Sequence, residues 1–296
     1  MVLLIINKEN GEWKEITQEE KKDLSEEEKE KVLYIDGKLK KKLDFGLKQQ
    51  AEDNDVVAII CGDEGSGKSN LAGNCMRYIT KDKFNPMNDL IGSDYEDALN
   101  KISKVKMKGS LMFDEGNVFF LSTEVMKKEN RELHKIFSIF RQKNLFVFIV
   151  LPSFFRLNSY FALDRSRFLL RTYLKKGKRS YFAYHGNKNK EKLYKYGKKD
   201  KDYHVERPNF RGRFEKCSPL ESEDYKKFKL KTLEQSIGGA KKPKKICRKD
   251  IEKQKIRDII KLNMDMSTNK LGKIIGLDGS RIRQIKIKMR DEEINA

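Results

Sequence analysis

From Val56 onward, short unbroken apolar runs alternate with segments whose apolar residues recur at helical spacing. That pattern predicts strands buried on both faces and joined by helices, the signature of a parallel α/β sheet. VVAIICG (56–62) predicts the first buried strand and KSNLAGNCMRYIT the helix after it. NDLIGS (88–93) predicts a short second strand, followed by the helix DYEDALNKISKV. SLMFDE (110–115) is the third strand, STEVMKKENRELHKIFSIFRQK the next helix and LFVFIVLP (145–152) the fourth strand. RFLLRTYL (167–174) predicts a fifth, joined through the basic turn KKGKR to SYFAYHG as a hairpin.

The flanks read differently. Residues 1–49 predict an N-terminal extension: a short apolar strand, a charged and solvated helix in ITQEEKKDLSEEEKEK, and VLYIDGKLKKKL as a hairpin arm or helical lead-in. The core domain spans 50–237 and takes in a lysine- and tyrosine-rich stretch from 187 that ends in the helix-like ESEDYKKFKLKTLEQSI. GGAKKPKK marks a linker over 238–247. In 248–296, RKDIEKQKIRDIIKLN, STNKLGKIIG and DGSRIRQIKIKMRDEE predict three helices at helix-turn-helix spacing, with Gly276 in the turn.

Charge narrows the partner. The 296 residues carry 65 Lys+Arg against 45 Asp+Glu, a net +20, which favours a polyanion such as nucleic acid. The charge is uneven: residues 1–60 hold 11 basic against 15 acidic, a net of −4, while 241–290 hold 17 against 5, a net of +12. No apolar stretch reaches the roughly 18–20 residues of a membrane span, and MVLLIIN is too short for a signal-peptide core, so an intracellular protein is expected. Cys61, Cys75, Cys217 and Cys247 are scattered without CxxC or Cys/His pairing, which predicts packing residues rather than a zinc site.

GDEGSGKS, Gly62 to Ser69, matches GxxxxGK[ST] between a predicted strand and a predicted helix. Glycines there let successive backbone N–H groups curl toward a phosphate, and the helix N-terminus adds partial positive charge. Gly62, Asp63, Glu64, Gly65, Ser66, Gly67, Lys68, Ser69 and Asn70 are therefore the expected nucleotide-binding residues. Lys68 reaches the β and γ phosphates, and Ser69 offers its hydroxyl to Mg²⁺. The third strand ends on two adjacent acids, which repel unless a cation or a reaction uses them. Asp114 is expected to hold Mg²⁺ from the other side through water, and Glu115 to accept a proton from the attacking water. A surface Asp-Glu pair at a strand end is the plain alternative.

A glutamate directly after the metal aspartate, with a further strand predicted between the phosphate-loop strand and the acidic one, resembles the ASCE division of P-loop NTPases. That resemblance implies ATP rather than GTP, a RecA-like sheet flanked by helices, and work in rings. Arg141, Arg165, Arg167 and Arg171 crowd the fourth and fifth strands. Each alone is ordinarily solvated, but as a set they are candidates for an arginine inserted from a neighbouring subunit. CGDEGSGKS, LMFDEGN, FRQKNLFVFIVLPS and DRSRFLLRTY, in this order, resemble the HerA/FtsK superfamily of DNA-pumping ATPases, including short forms used by viruses and plasmids for genome packaging or transfer. The resemblance covers roughly residues 50–185 and implies ATP and Mg²⁺ as cofactors, double-stranded DNA as partner, a homo-oligomeric ring (a hexamer by analogy) and a cytoplasmic location, the host's if a virus or plasmid encodes the chain. The family's glutamine sensor at the end of the fourth strand is replaced by Pro152 and Ser153; Ser153 and Asn117 are the polar candidates left.

Beyond the core, Ser267 and Asp278 are expected helix caps, over a small core of Leu271, Ile274, Ile275, Ile282 and Ile285. Ser280, Arg281, Arg283, Gln284, Lys286 and Lys288 then fit a DNA-contacting recognition helix, the alternative being a bundle docked on the core. NKNKEKLYKYGKKDKDYH (187–204) suits either gripping a nucleic-acid backbone or a solvated loop. The expectation is thus a DNA translocase for packaging or transfer. Its rivals are a replication initiator or helicase loader, and a nucleotide-gated DNA-binding regulator that does not hydrolyse.

Overall fold

The seven residues Val56–Gly62 form a strand buried along its whole length. Val56, Ala58 and Ile60 turn to one side and Val57, Ile59 and Cys61 to the other, each set into its own apolar cluster. A strand covered on both faces has no position that tolerates a polar residue, hence the unbroken run. The computed structural model describes residues 2–7, 9–92, 95–114, 120, 136–175, 178–238, 260 and 266–294.

In chain order the strands are β1 (Val2–Ile6), β2 (Trp13–Ile16), β3 (Leu33–Ile35), β4 (Val56–Gly62), β5 (Leu90–Ile91), β6 (Ser110–Phe113), β7 (Phe146–Leu151), β8 (Phe168–Lys175), β9 (Lys178–Gly186) and β10 (Phe210–Arg213). The helices used below are α1 (Gln18–Asp23), α2 (Glu26–Lys31), α3 (Gly37–Ala51), α4 (Lys68–Ile79), α5 (Pro86–Asp89), α6 (Tyr95–Lys104), α7 (Asn187–Gly197), α8 (Glu223–Gly238), α9 (Thr268–Ile275) and α10 (Gly279–Ile294).

The main sheet runs β10-β9-β8-β4-β7-β6-β5. Its five strands from β8 to β5 are parallel, and β9 and β10 extend them antiparallel. In the sheet β7 therefore separates β4 from β6, so the loop leaving β4 and the carboxylate following β6 flank the end of β7. The expected strands and the β8–β9 hairpin are all present within a few residues of their predicted bounds.

Two layers cover the sheet. One face receives α3, α4 and a small antiparallel sheet ordered β2-β1-β3. The other receives Ala98 and Ile102 of α6, Ile136, Phe137 and Phe140 of a helical stretch over 136–142, and Leu193 and Tyr194 of α7. The charged N-terminal stretch forms α1 and α2, each opened by a capping box (Thr17 with Glu20, Ser25 with Glu28) and neither burying a residue. Leu4, Leu33, Ile35, Leu39 and Leu43 nevertheless join the core cluster of β4, with Asp36 capping α3.

The first half of the lysine- and tyrosine-rich stretch is not a loop but α7, which turns Lys190, Leu193 and Tyr194 inward and leaves Lys188, Lys192, Lys195 and Tyr196 exposed. Tyr194 donates to the Leu157 carbonyl at 2.6 Å, and the buried Lys190 donates to the carbonyl and hydroxyl of Ser166. Leu193 beside these residues supplies the apolar contact that draws the helix onto the sheet.

The chain divides into two compact units, Met1–Ser236 and Ile237–Ala296. In the second, α9 and α10 are joined through Gly276 at φ +74° over a core of Ile260, Leu271 and Ile282, with Ile285 partly buried. The first predicted helix of that unit, apart from Ile260, and the linker over 239–247 lie outside the described residues. Cys61, Cys75 and Cys217 are buried free thiols, and Cys247 lies outside the described residues. Among the described residues no helix is long and apolar enough to cross a membrane.

Candidate active site

The loop after β4 folds as its glycines demand. Gly62 sits at φ +148°, and a Cβ there would stand 2.3 Å from the Thr172 carbonyl oxygen of β8. Gly67 opens α4 at φ +92°, where a Cβ would meet the Phe214 ring at 2.9 Å. Both positions combine a left-handed backbone with close approach, which only glycine accommodates. The fully buried Ser66 then pins the curl: its hydroxyl donates to the Asp63 carbonyl at 2.6 Å and lies 2.7 Å from the Thr172 hydroxyl. Thr172 in turn bonds the Cys61 carbonyl at 3.2 Å, tying loop, β4 and β8 together.

Lys68, the first residue of α4, folds back over this loop and donates to the carbonyls of Gly62 (2.9 Å) and Asp63 (2.8 Å). Burial holds its ammonium below the usual lysine range, against the upward pull of nearby acidic groups that include Glu64, Asp63 and Asp114. Asn70, expected at the nucleotide, instead accepts the Cys217 N–H at 2.9 Å and so anchors the segment carrying Phe214 beside the loop.

Asp114 follows β6 and is 2% exposed. Its Oδ1 accepts the Ser69 hydroxyl at 2.8 Å, joining the two residues expected to share a metal. Its Oδ2 accepts from Tyr225 at 2.9 Å and pairs with the Lys229 ammonium, also at 2.9 Å. Tyr225 and Lys229 stand one helical turn apart on α8, so one face of that helix closes over the carboxylate. Burial, then the Asp114 charge, push the Tyr225 hydroxyl above the usual tyrosine range. Glu115 and Asn117 lie outside the described residues.

Ser153 stands just past the end of β7, between the loop and Asp114 in sheet order. The Tyr203 hydroxyl braces this corner, accepting the Phe154 N–H at 2.9 Å and lying 3.6 Å from the Cys61 sulfur.

Of the four candidate arginines, Arg171 lies level with Cys61 and lines one cavity with Asp63 of the loop, whereas the other three are placed elsewhere. Arg141, Arg165 and Arg167 precede β7 and β8, at the amino ends of the parallel strands, while the loop is at the carboxyl ends. A seven-residue strand makes that separation about 20 Å. Arg165 is committed to Asp55, itself buried just before β4, and lies 5.4 Å from the Phe137 ring centre. Arg141 and Arg167 are exposed. Within one chain none of the three reaches the loop.

In the second unit, Ser280, Arg281, Arg283 and Gln284 are exposed along α10, whereas Lys286 donates to the Met266 carbonyl at 2.9 Å. The side chain of Lys288 lies outside the described residues. Asp278 accepts the Ser280 hydroxyl at 2.6 Å at the start of α10.

Sequence reasoning missed Thr172, Tyr203, Tyr225 and Lys229. The i,i+4 spacing of Tyr225 and Lys229 marks a shared helix face, but nothing local names Asp114 as its target.

No protein-family model matches the chain, and no curated protein matches it. Among solved structures it is similar to the genome packaging NTPase B204 from Sulfolobus turreted icosahedral virus 2 in complex with ATP-gammaS, at 14% identity over 45% of this chain and 92% of that one, with a TM-score of 0.32. It is also similar to the N-terminal domain of zonular occludens toxin from Neisseria meningitidis, at 11% identity over 57% of this chain and 98% of that one, with a TM-score of 0.37. At those scores the likeness carries no weight for activity.

Proposed function

We propose that the chain is a Mg²⁺-dependent ATPase of HerA/FtsK type that assembles as a homo-oligomeric ring and couples hydrolysis to movement of double-stranded DNA in packaging or transfer. The observation that carries the reading is the 2.8 Å bond between Ser69, at the start of α4, and Asp114, after β6, across the end of β7. A hydroxyl and a carboxylate brought together beside a phosphate loop are hard-oxygen donors that would hold Mg²⁺. The ion, when bound, neutralises charge developing on the transferred phosphoryl group.

The chain's own residues do the rest. Backbone N–H groups of the loop and the start of α4 hold the phosphates, Lys68 exchanges the carbonyls of Gly62 and Asp63 for phosphate oxygens, and Ser66 with Thr172 keeps the loop curled. Glu115, directly after the metal aspartate, takes the proton of the attacking water. Net charge of +20 and the exposed Arg281 and Arg283 of α10 support DNA as the partner.

The test is steady-state ATP hydrolysis by the wild type and Glu115→Gln, with and without long double-stranded DNA, at two protein concentrations. DNA-stimulated turnover that rises cooperatively with concentration, retained nucleotide binding and lost turnover in the variant are expected. Equal hydrolysis by Glu115→Gln would sink the base assignment; slow, DNA-indifferent hydrolysis would shift the reading to a loader or a switch.

A further inference from the structure

The antiparallel edge of the main sheet carries a row of basic and aromatic residues that, apart from the candidate arginine Arg171, the ATPase reading does not use. Register places Arg171 of β8 beside Ala183 of β9, and Ala183 beside Arg211 of β10. The next row, two residues along, is Tyr173, Tyr181 and Arg213. Residues level across a sheet point to the same face, and strands lie about 4.8 Å apart, so Arg171 and Arg211 leave that face roughly 10 Å apart with only the Ala183 methyl between them.

Two of the three arginines are held in place by rings rather than by carboxylates. Arg171 lies 4.1 Å from the Tyr203 ring centre and Arg213 lies 5.3 Å from that of Tyr181, while Tyr173 and Tyr181 stack at 6.0 Å. Among the described residues Arg171, Arg211 and Arg213 form no ion pair. A cavity of about 320 Å³ opens over Arg171, Tyr173, Ala183 and Arg211, and among the described residues Asp63 is the one carboxylate that lines it. In its wall His185 is 1% exposed, and its Nδ1 has no hydrogen-bond partner among the described residues. Burial, followed by the charges of Arg171 and Arg211, pulls this imidazole down to about 4, so it is neutral and both guanidiniums act on the same spot.

We infer that this β8–β9–β10 face is a second nucleic-acid contact, in which Arg171, Arg211 and Arg213 hold backbone phosphates and the tyrosine rings flank the strand. Unpaired cations spaced along a face, interleaved with aromatic rings, complement a polyanion whose every residue carries a phosphate and a flat base. A free anion would need one enclosed pocket rather than two rows. The face borders the phosphate loop through Asp63, which would place a bound strand beside the nucleotide.

The inference rests on the nucleic-acid half of the proposed function, and the experiment separates the two. Fluorescence anisotropy of the full chain with a labelled 30-nucleotide single strand and its duplex, without ATP and over a range of salt, would compare wild type with Arg211→Gln/Arg213→Gln and with Arg283→Gln. Both substituted β10 arginines are exposed, so folding should survive, which the thermal midpoint checks. Each lost phosphate contact lowers the slope of log K against log salt by about 0.7–0.9. The double variant should therefore lose about 1.4–1.8 of slope and at least tenfold in affinity, with binding of Mg²⁺ and a fluorescent ATP analogue unchanged. Wild-type binding with an unaltered slope in the β10 variant, whatever Arg283→Gln does, overturns this face alone. Loss of ATP-analogue binding instead of oligonucleotide binding overturns it in favour of a nucleotide subsite. No binding by the wild type overturns both readings.

Discussion

Removing the Lys229 ammonium should tighten divalent-cation binding. Its Nζ stands 2.9 Å from Asp114 Oδ2, while Ser69 holds the other oxygen of the same carboxylate. Magnesium held by Ser69 and Asp114 would draw on that carboxylate, and a doubly charged ion would repel an ammonium seated on the same group. Lys229 must therefore leave Asp114 before the ion is seated. The bond it gives up is a charge-assisted one, typically about 1.5–3 kcal/mol; since the Lys229 side chain is 33% exposed, the lower part of that range applies. Lys229→Met keeps the stem beside the Tyr225 ring and deletes only the charge. At about 1.4 kcal/mol per tenfold, 1.5–2 kcal/mol predicts roughly 10- to 30-fold tighter Mg²⁺ binding. Mg²⁺ titration of the fluorescence of a bound ATP analogue reads this directly. Unchanged or weaker affinity in the variant would refute the competition and make Lys229 a helper of the bound ion instead.

Two further predictions concern residues whose sequence context suggested other roles. Arg165→Met strands the buried Asp55 carboxylate and should destabilise the main unit by about 3–5 kcal/mol, with a fall of roughly 6–20 °C in thermal midpoint, whereas Arg167→Met should stay within about 0.5 kcal/mol; equal stability of both variants would remove the structural assignment. Lys190, lowered to about 7 chiefly by burial and next by Arg167, is protonated in the unfolded chain but not in the fold between pH 7 and its ordinary range, so its contribution to stability rises with pH from about 7 upward. Cys61, Cys75 and Cys217 are raised by burial and oppose this trend above about pH 8.5, which confines the clean window to pH 7–8.5. Over it, denaturant unfolding of the wild type should gain about 2 kcal/mol relative to Lys190→Met, and parallel pH curves for the two proteins would refute the shift.

The parts of this protein legible in its sequence are those whose cause is local. A strand buried on both faces leaves an unbroken apolar run, so VVAIICG and LFVFIVLP announce β4 and β7. A phosphate loop is eight consecutive residues whose glycines answer to backbone angles and near neighbours, and Gly62 and Gly67 take the strained positions their spacing implies. The pairing of Ser69 with Asp114 followed from that motif together with an acid at the end of an apolar strand.

Tertiary structure alone decided the rest, because those features depend on residues far apart in the chain meeting across the sheet. Tyr225 and Lys229 close on Asp114 across 111 and 115 positions. Arg165 looks like its basic neighbours until folding sets Asp55 against it. Tyr194 faces inward because α7 docks on the sheet while Tyr196 two residues on stays exposed, and Arg171 meets Arg211 across Ala183 only because β9 and β10 pair in that register. Charge and periodicity specify that such side chains exist and which helix or strand carries them; which partner neutralises them is set by strand order and packing, and that choice separates an arginine spent on the fold from one left to bind.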